Sequence, residues 1–484
     1  DANGAFILRN EGRLITFNVE SGATALVTAS ISRKSGGGVN LDTFGELTKT
    51  GTGLLELAGA NRYYGTTLVN EGTLKVSGTQ ETSVAGDGTE TSVLSGATYM
   101  AAGNHSIGML SGAGSVVVNS GVTLTTNIDN GNSSFTGVIS GAGALTKAGT
   151  GALTLNGVNT YTGATLVKAG TLVLGSTAAL ASGSVQVSDS TAEAELVFGA
   201  NNQLSPAVQV TTGATSGTGK WGRLSLNGTT QTITSLTSGT TTTQGALILQ
   251  NDSYYFGGPA TDGTLVITGN ADMLVNGYIR DADNNAGRKL NITKQGTGTL
   301  TLASTYDGQM SLSGATTVSA GHLVFGVGTA NSLPSAATAI SVASGSSVTF
   351  WASSSLSNTG LGGTRNLVAS LSGAGAVNFR GIGASGSNYY SDWEYTGTST
   401  GLTGPVTVEG ARLGITTSFG SASAWPTITV RDGGTLYTKA SGTYSNPITI
   451  NGQAGAGASR GISVFTQGNI ETFGGAMNLY GHGG

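Results

Sequence analysis

Residues 47–76, "LTKTGTGLLELAGANRYYGTTLVNEGTLKV", return without a gap at 145–174 as "LTKAGTGALTLNGVNTYTGATLVKAGTLVL", with eighteen of thirty positions identical. A looser third copy, "ITKQGTGTLTLASTYDGQMSLSGATTVSAGHLVF", occupies 292–325. It carries about four extra residues before Gly314, an insertion of the kind repeat folds absorb in loops. Lys49, Lys147 and Lys294 correspond across the copies. Short runs alternate apolar and polar residues, so that Leu55 and Leu57, then Val69, then Leu74 and Val76 share one side of their strands. Glycines punctuate the runs at Gly51, Gly53 and Gly72, at Gly149, Gly151 and Gly170, and at Gly296, Gly298 and Gly321. These are turn positions, where positive φ or close backbone approach is needed. Strands this short cannot bury an apolar face alone, whereas stacked copies can.

A finer period runs beneath the long one. Turn-then-strand units start at Gly72, Gly96, Gly121, Gly321, Gly345, Gly410 and Gly433, at intervals near ~24 residues, one coil of a three-sided parallel β-helix. At ~4.8 Å per coil the chain makes roughly twenty coils, a rod of about 100 Å. A β-propeller, with its longer blades, and a sandwich, which does not need near-identical copies, fit worse. The reading is therefore an all-β single solenoid over 1–484, with full repeat copies at 46–78, 144–176 and 291–326. Val, Ile and Leu are expected to stack inside, with Asn and Thr ladders at corners or outside. Asn61 and Asn159, and Tyr63 and Tyr161, occupy matching positions and read as corner residues.

Composition agrees. There are 81 glycines but only 6 prolines in 484 residues, against collagen, and 10% charged residues, against disorder. The net charge of −4, without a basic run, argues against nucleic acid as a partner. With no cysteine, neither disulfides nor thiolate metal sites hold the fold. No stretch approaches a membrane span, and "DANGAFILRN" lacks the basic start and apolar core of a signal peptide.

The segment "FTGVISGAGALTKAGTGALTLNGVNTYTGATLVKAGTLVLG", 135–175, resembles the autotransporter-associated β-strand repeat (passenger-associated transport repeat) of autotransporter passenger domains. Shorter related phrases stand at 106–118 and 367–379. The resemblance implies a right-handed parallel β-helix, secreted and tethered to the outer membrane or released in a Gram-negative-type bacterium. It also implies an adhesive or structural role, although some members carry toxins or enzymes. No translocator barrel is visible in the sequence.

Candidates for chemistry are few. His105, His322 and His482 lie far apart, and the acidic residues are mostly single at turns, such as Glu71, Glu409 and Asp432. No catalytic residue and no cofactor is expected. In "RDADNNAGRK", Asp281, Asp283 and Asn285 have calcium-loop spacing. Ala286 and Ile292, however, stand where the turn glycine and closing glutamate belong, so a plain polar loop competes. In "NYYSDWEY", Tyr389, Tyr390, Trp393 and Tyr395 gather on what reads as an aromatic side loop over 380–400. They serve either as contacts to a sugar or protein partner or as packing. The favoured function is a non-enzymatic surface rod, adhesive or structural, with self-association through its end coils. A polysaccharide-acting enzyme and a host-directed ligand or toxin passenger are the competitors, so glycan or a host cell surface stays open as partner.

Overall fold

Period-two alternation sets which side chains go inside. Leu55, Leu57, Val69, Leu74 and Val76 are all fully buried, while Glu56 and Lys75, each between two of them on its strand, reach the surface. The computed structural model describes residues 8–9, 14–32, 46–61, 65–79, 89–189, 191–213, 220–238, 247–253, 261–281, 288–304, 310–327, 338–352, 365–381, 392–421, 424–432, 434–438, 442–451, 463–466, 471–473 and 477–480. Among them every regular element is a strand. No helix is long and apolar enough to cross a membrane.

The chain divides into two compact units, 1–225 with 229–232, and 226–228 with 233–484. In the first, three parallel ladders climb together. One joins Thr24–Val27, Leu54–Leu57, Thr73–Val76, Thr98–Ala101, Ser115–Val118 and Val138–Gly141. A second runs from Ile15–Asn18 through Leu47–Thr50 and Thr67–Val69 to Ala194–Phe198 and Gly222–Ser225. A third joins His105–Ser106, Thr123–Thr126, Ala144–Lys147, Thr165–Val167, Ser184–Asp189 and Gln209–Gly213.

The second unit repeats the plan. Its longest ladder joins Met273–Arg280, Thr299–Ser304, His322–Val327, Ser347–Ala352, Ala376–Arg380, Val406–Glu409, Ile428–Arg431, Ile448–Asn451 and Met477–Tyr480. Two more run from Gly263–Ile267 to Gly401–Leu402 and from Arg365–Leu367 to Ser463–Thr466. Each unit is thus a parallel β-solenoid.

The return is not constant. Leu54 pairs with Thr73, Thr73 with Thr98 and Thr98 with Ser115, so coils differ in length and the corners take up the difference. Inside, like stands on like: Leu153 under Leu172 under Leu196 under Leu224, all fully buried. Each such leucine contributes about 1.5–3 kcal/mol of transfer free energy.

Candidate functional site

The most heavily constructed feature of the chain is the corner made by each repeat. Lys49 points inward from Leu47–Thr50, where the strand alternation puts an apolar residue in neighbouring coils, and it is fully buried. Its Nζ donates to the carbonyls of Thr50 (2.9 Å), Gly51 (2.6 Å) and, in the next coil, Glu71 (3.2 Å). Lys147 repeats this with Ala148 (2.6 Å), Gly149 (3.0 Å) and Ala169 (3.0 Å). Lys294, also buried, donates to Gly296 O.

The glycines make this possible. Gly51, Gly72, Gly149, Gly170 and Gly321 have positive φ. A Cβ on Gly72 would stand 2.5 Å from Gly53 O and 2.6 Å from Gly51 O, so the glycine turns of successive coils lie directly on one another. Gly53, Gly151, Gly296 and Gly298 serve close approach instead, because a Cβ on any of them would run into the carbonyls of the coil before.

Electrostatics differ among the three corners. Burial lowers the pKa of all three ammonium groups. Glu71 opposes this at Lys49 and Asp272 opposes it at Lys294. At Lys147 burial acts alone and pushes the group down to about 7.

Buried amides tie the other corners. Asn61 Oδ1 accepts from Ile31 N (3.1 Å) and its Nδ2 donates to Gly59 O (3.1 Å). Asn159 does the same with Ile139 N (2.9 Å) and Gly157 O (2.8 Å). Tyr161 is buried and its hydroxyl meets Thr165 Oγ1 at 2.7 Å, a packing role as expected of a corner residue. Its counterpart Tyr63 lies outside the described residues.

The aromatic segment corrects part of the sequence reading. Residues 376–380 and 392–395 are strands, and Trp393 and Tyr395, two residues apart, both face the interior at 0% and 1% exposure. They continue a stack in which Phe325, Phe350 and Phe379 follow one another at 5.6 and 5.4 Å between ring centroids. Trp393 lies 6.2 Å from Phe350 and 6.1 Å from Phe379, and Tyr395 stacks on Phe419 at 4.9 Å. The Tyr395 hydroxyl donates to Thr398 O (2.7 Å), and burial raises its pKa. Of the two roles open for these residues, packing is the one this geometry serves. Tyr389 and Tyr390 lie outside the described residues.

Of the calcium-like trio, Asp283 and Asn285 also lie outside the described residues. The Asp281 carboxylate accepts from Leu290 N (2.9 Å) and Ser313 N (3.0 Å) and from the Ser313 hydroxyl, so it ties backbone together. Among the described residues no three His, Asp or Glu side chains gather where they could hold a metal ion.

His105 is buried between Gly103 O (2.7 Å from Nδ1) and the Tyr99 hydroxyl (2.7 Å from Nε2). A carbonyl only accepts, so Nδ1 carries the proton and Nε2 accepts from Tyr99. Burial pushes its pKa down to about 4, against the hydrogen bond to Gly103. His322, on the surface, contacts Ser347 Oγ at 2.8 Å.

The sequence led to the expectation of Asn and Thr ladders at corners or outside, without naming their members. In the second unit Thr301, Val324, Thr349, Asn378, Thr407 and Thr429 fall in one column, part-exposed except at Thr349, which is covered. Beside it Trp351, 39% exposed, heads a column of Arg380, Glu409 and Arg431. Glu409 bridges both arginines at 3.0 and 2.9 Å. Alignment by strand register, which unequal coil lengths conceal in the sequence, is what brings these residues together.

The family model for the passenger-associated-transport-repeat matches residues 47–76, 145–174 and 292–325. No curated protein and no solved structure matched the chain. Repeats of this kind are those of autotransporter passengers, which are secreted to the cell surface or beyond in Gram-negative bacteria.

Proposed function

We propose that this chain, an autotransporter passenger by its repeats, is a structural or adhesive element of the bacterial surface that performs no catalysis. The observation that carries this reading is where the repeated residues go. Lys49 and Lys147, Asn61 and Asn159, and the stacked glycines are all engaged in joining one coil to the next. A chain that spends its most faithfully repeated residues on continuity has length and surface area as its product. Outward it presents columns of threonine and asparagine with a paired Arg–Glu–Arg ladder, a face suited to display and contact.

The finer form of the proposal is that copies join end to end. Parallel coil-on-coil pairing has the same hydrogen-bond pattern at every level, so an uncovered coil of one copy is a template for another. Negative-stain electron microscopy of the purified chain over a concentration series tests it. Filaments that lengthen with concentration are expected, and separate particles at every concentration would overturn end-to-end joining. Release of sugars from a polysaccharide panel by the same preparation would overturn the non-catalytic reading.

A further inference from the structure

The buried lysines pose a question that stability does not answer. An ammonium group inside a core is costly to desolvate, and replacing such a group by a well-packed apolar side chain is often neutral or stabilising. The columns that contain these lysines show the apolar alternative. Phe17, Lys49, Val69 and Val93 are in register, as are Thr126, Lys147, Val167 and Val187, and Ile267, Lys294, Val318 and Val342. Valine occupies the same interior place in each of the next two coils.

Such columns bury well but cannot tell one coil from the next. A coil docked one level out of place still sets valine beside valine, so apolar burial alone leaves the stacking order weakly specified. The corners do differ. Opposite each lysine, the following coil turns tightly through Gly72, Gly170 or Gly321, each packed against the glycine turn before it. One coil further on, after Val93 and Val342, the chain makes a wider turn through Gly96 and Gly345, where a Cβ would meet nothing within 4 Å. Those wider turns close on themselves, Ala97 N to Leu94 O (2.9 Å) and Ser346 N to Ala343 O (3.0 Å), whereas in the tight corners Thr73 N, Thr171 N and His322 N reach back to Gly53 O, Gly151 O and Gly298 O of the coil before.

We infer that the repeat lysines are register locks: Lys49 and Lys147 each fix which coil stacks next by requiring carbonyls from two consecutive tight glycine corners. An ammonium group has three N–H donors and no acceptor. In both corners it finds three carbonyls, two from its own turn and one from the next coil. A misplaced coil removes the third acceptor and leaves a buried charge under-satisfied, a penalty that no valine column can impose. Lys294 occupies the matching place in the third repeat and bonds Gly296 O in the same way.

The test separates specificity from stability. The full chain carrying Lys147→Val is unfolded, refolded and followed by hydrogen exchange read by mass spectrometry over 145–174. Two populations with different protection are expected where wild type gives one, without loss of overall thermal stability. Lys147→Met, which keeps the stem but not the ammonium, should split in the same way. Lys147→Cys in this cysteine-free chain, alkylated while unfolded to S-aminoethylcysteine, restores an ammonium at nearly the same reach and should return one population. A single wild-type-like population for both Lys147→Val and Lys147→Met would overturn the lock. If Lys147→Val fails to fold while Lys147→Met behaves as wild type, stem packing is the role and the inference is equally overturned. The same series at Lys49 repeats the test in an independent corner.

Discussion

His105 shows how burial sets the titration of a single residue in this chain. It sits between Tyr99 and Gly103 as a neutral ring, held well below its usual range at about 4 by burial. The unfolded chain therefore binds more protons than the folded one between about pH 4 and 6.5, and stability falls as pH drops through that window. The expected loss is ~3 kcal/mol, at about 1.4 kcal/mol per pH unit. Denaturant melts from pH 7 to 4 should show it, and His105→Phe should flatten the His-dependent part of the slope. An unchanged slope would mean the ring is charged or solvated in the folded state. The sign is the same at Lys147, where a group lowered to about 7 makes stability rise from there toward the ordinary lysine range.

Single residues also mark how far the sequence could be read. The glycine turns were legible because Gly51, Gly72 and Gly170 recur at fixed places in the copies. The buried lysines were not, because a lysine in an alternating strand reads as a surface residue until the corner carbonyls that receive it are known.

At the scale of an element, alternation within a strand carried most of the information. Leu55 and Leu57, or Leu74 and Val76, could be assigned to the interior from spacing alone, and the structure buries them. The same rule applied to Asp392–Tyr395 sends Trp393 and Tyr395 inward together. Aromatic crowding suggested a loop there, and the spacing of two was the better guide. Trp393→Ala should therefore cost ~3–5 kcal/mol, the usual penalty for emptying an aromatic site in a core. Its measurable signature is a lower thermal midpoint together with loss of the Trp emission from a buried site. A variant of wild-type stability would place the indole at the surface and reopen the contact reading. Columns between elements were beyond the sequence, since Thr349 meets Asn378 and Glu409 meets Arg431 only through coils of unequal length.

At the scale of the whole chain, each unit is held by interactions between adjacent coils. Damage should then be felt locally, as in other repeat proteins where stability is a sum of unit and nearest-neighbour terms. Leu153→Asp puts a charge into a fully buried column of the first unit. Hydrogen exchange should rise over the coils containing 133–135, 152–155 and 170–174 and fade with distance along the stack. A uniform rise through both units would show one all-or-none transition instead.

The continuity of the columns has a consequence on a different timescale. Each level offers the next the same parallel strand pairing, so a gene segment encoding whole coils can be copied or deleted between matching corners and leave the surviving pairings intact. Most folds punish unequal recombination by breaking a core, whereas this one converts it into a longer or shorter molecule. The gapless recurrence of 47–76 at 145–174, with eighteen of thirty positions identical, is the pattern such an exchange would leave. In such a lineage length is itself an inherited trait, adjustable a few coils at a time, while the chemistry of every corner stays as it was.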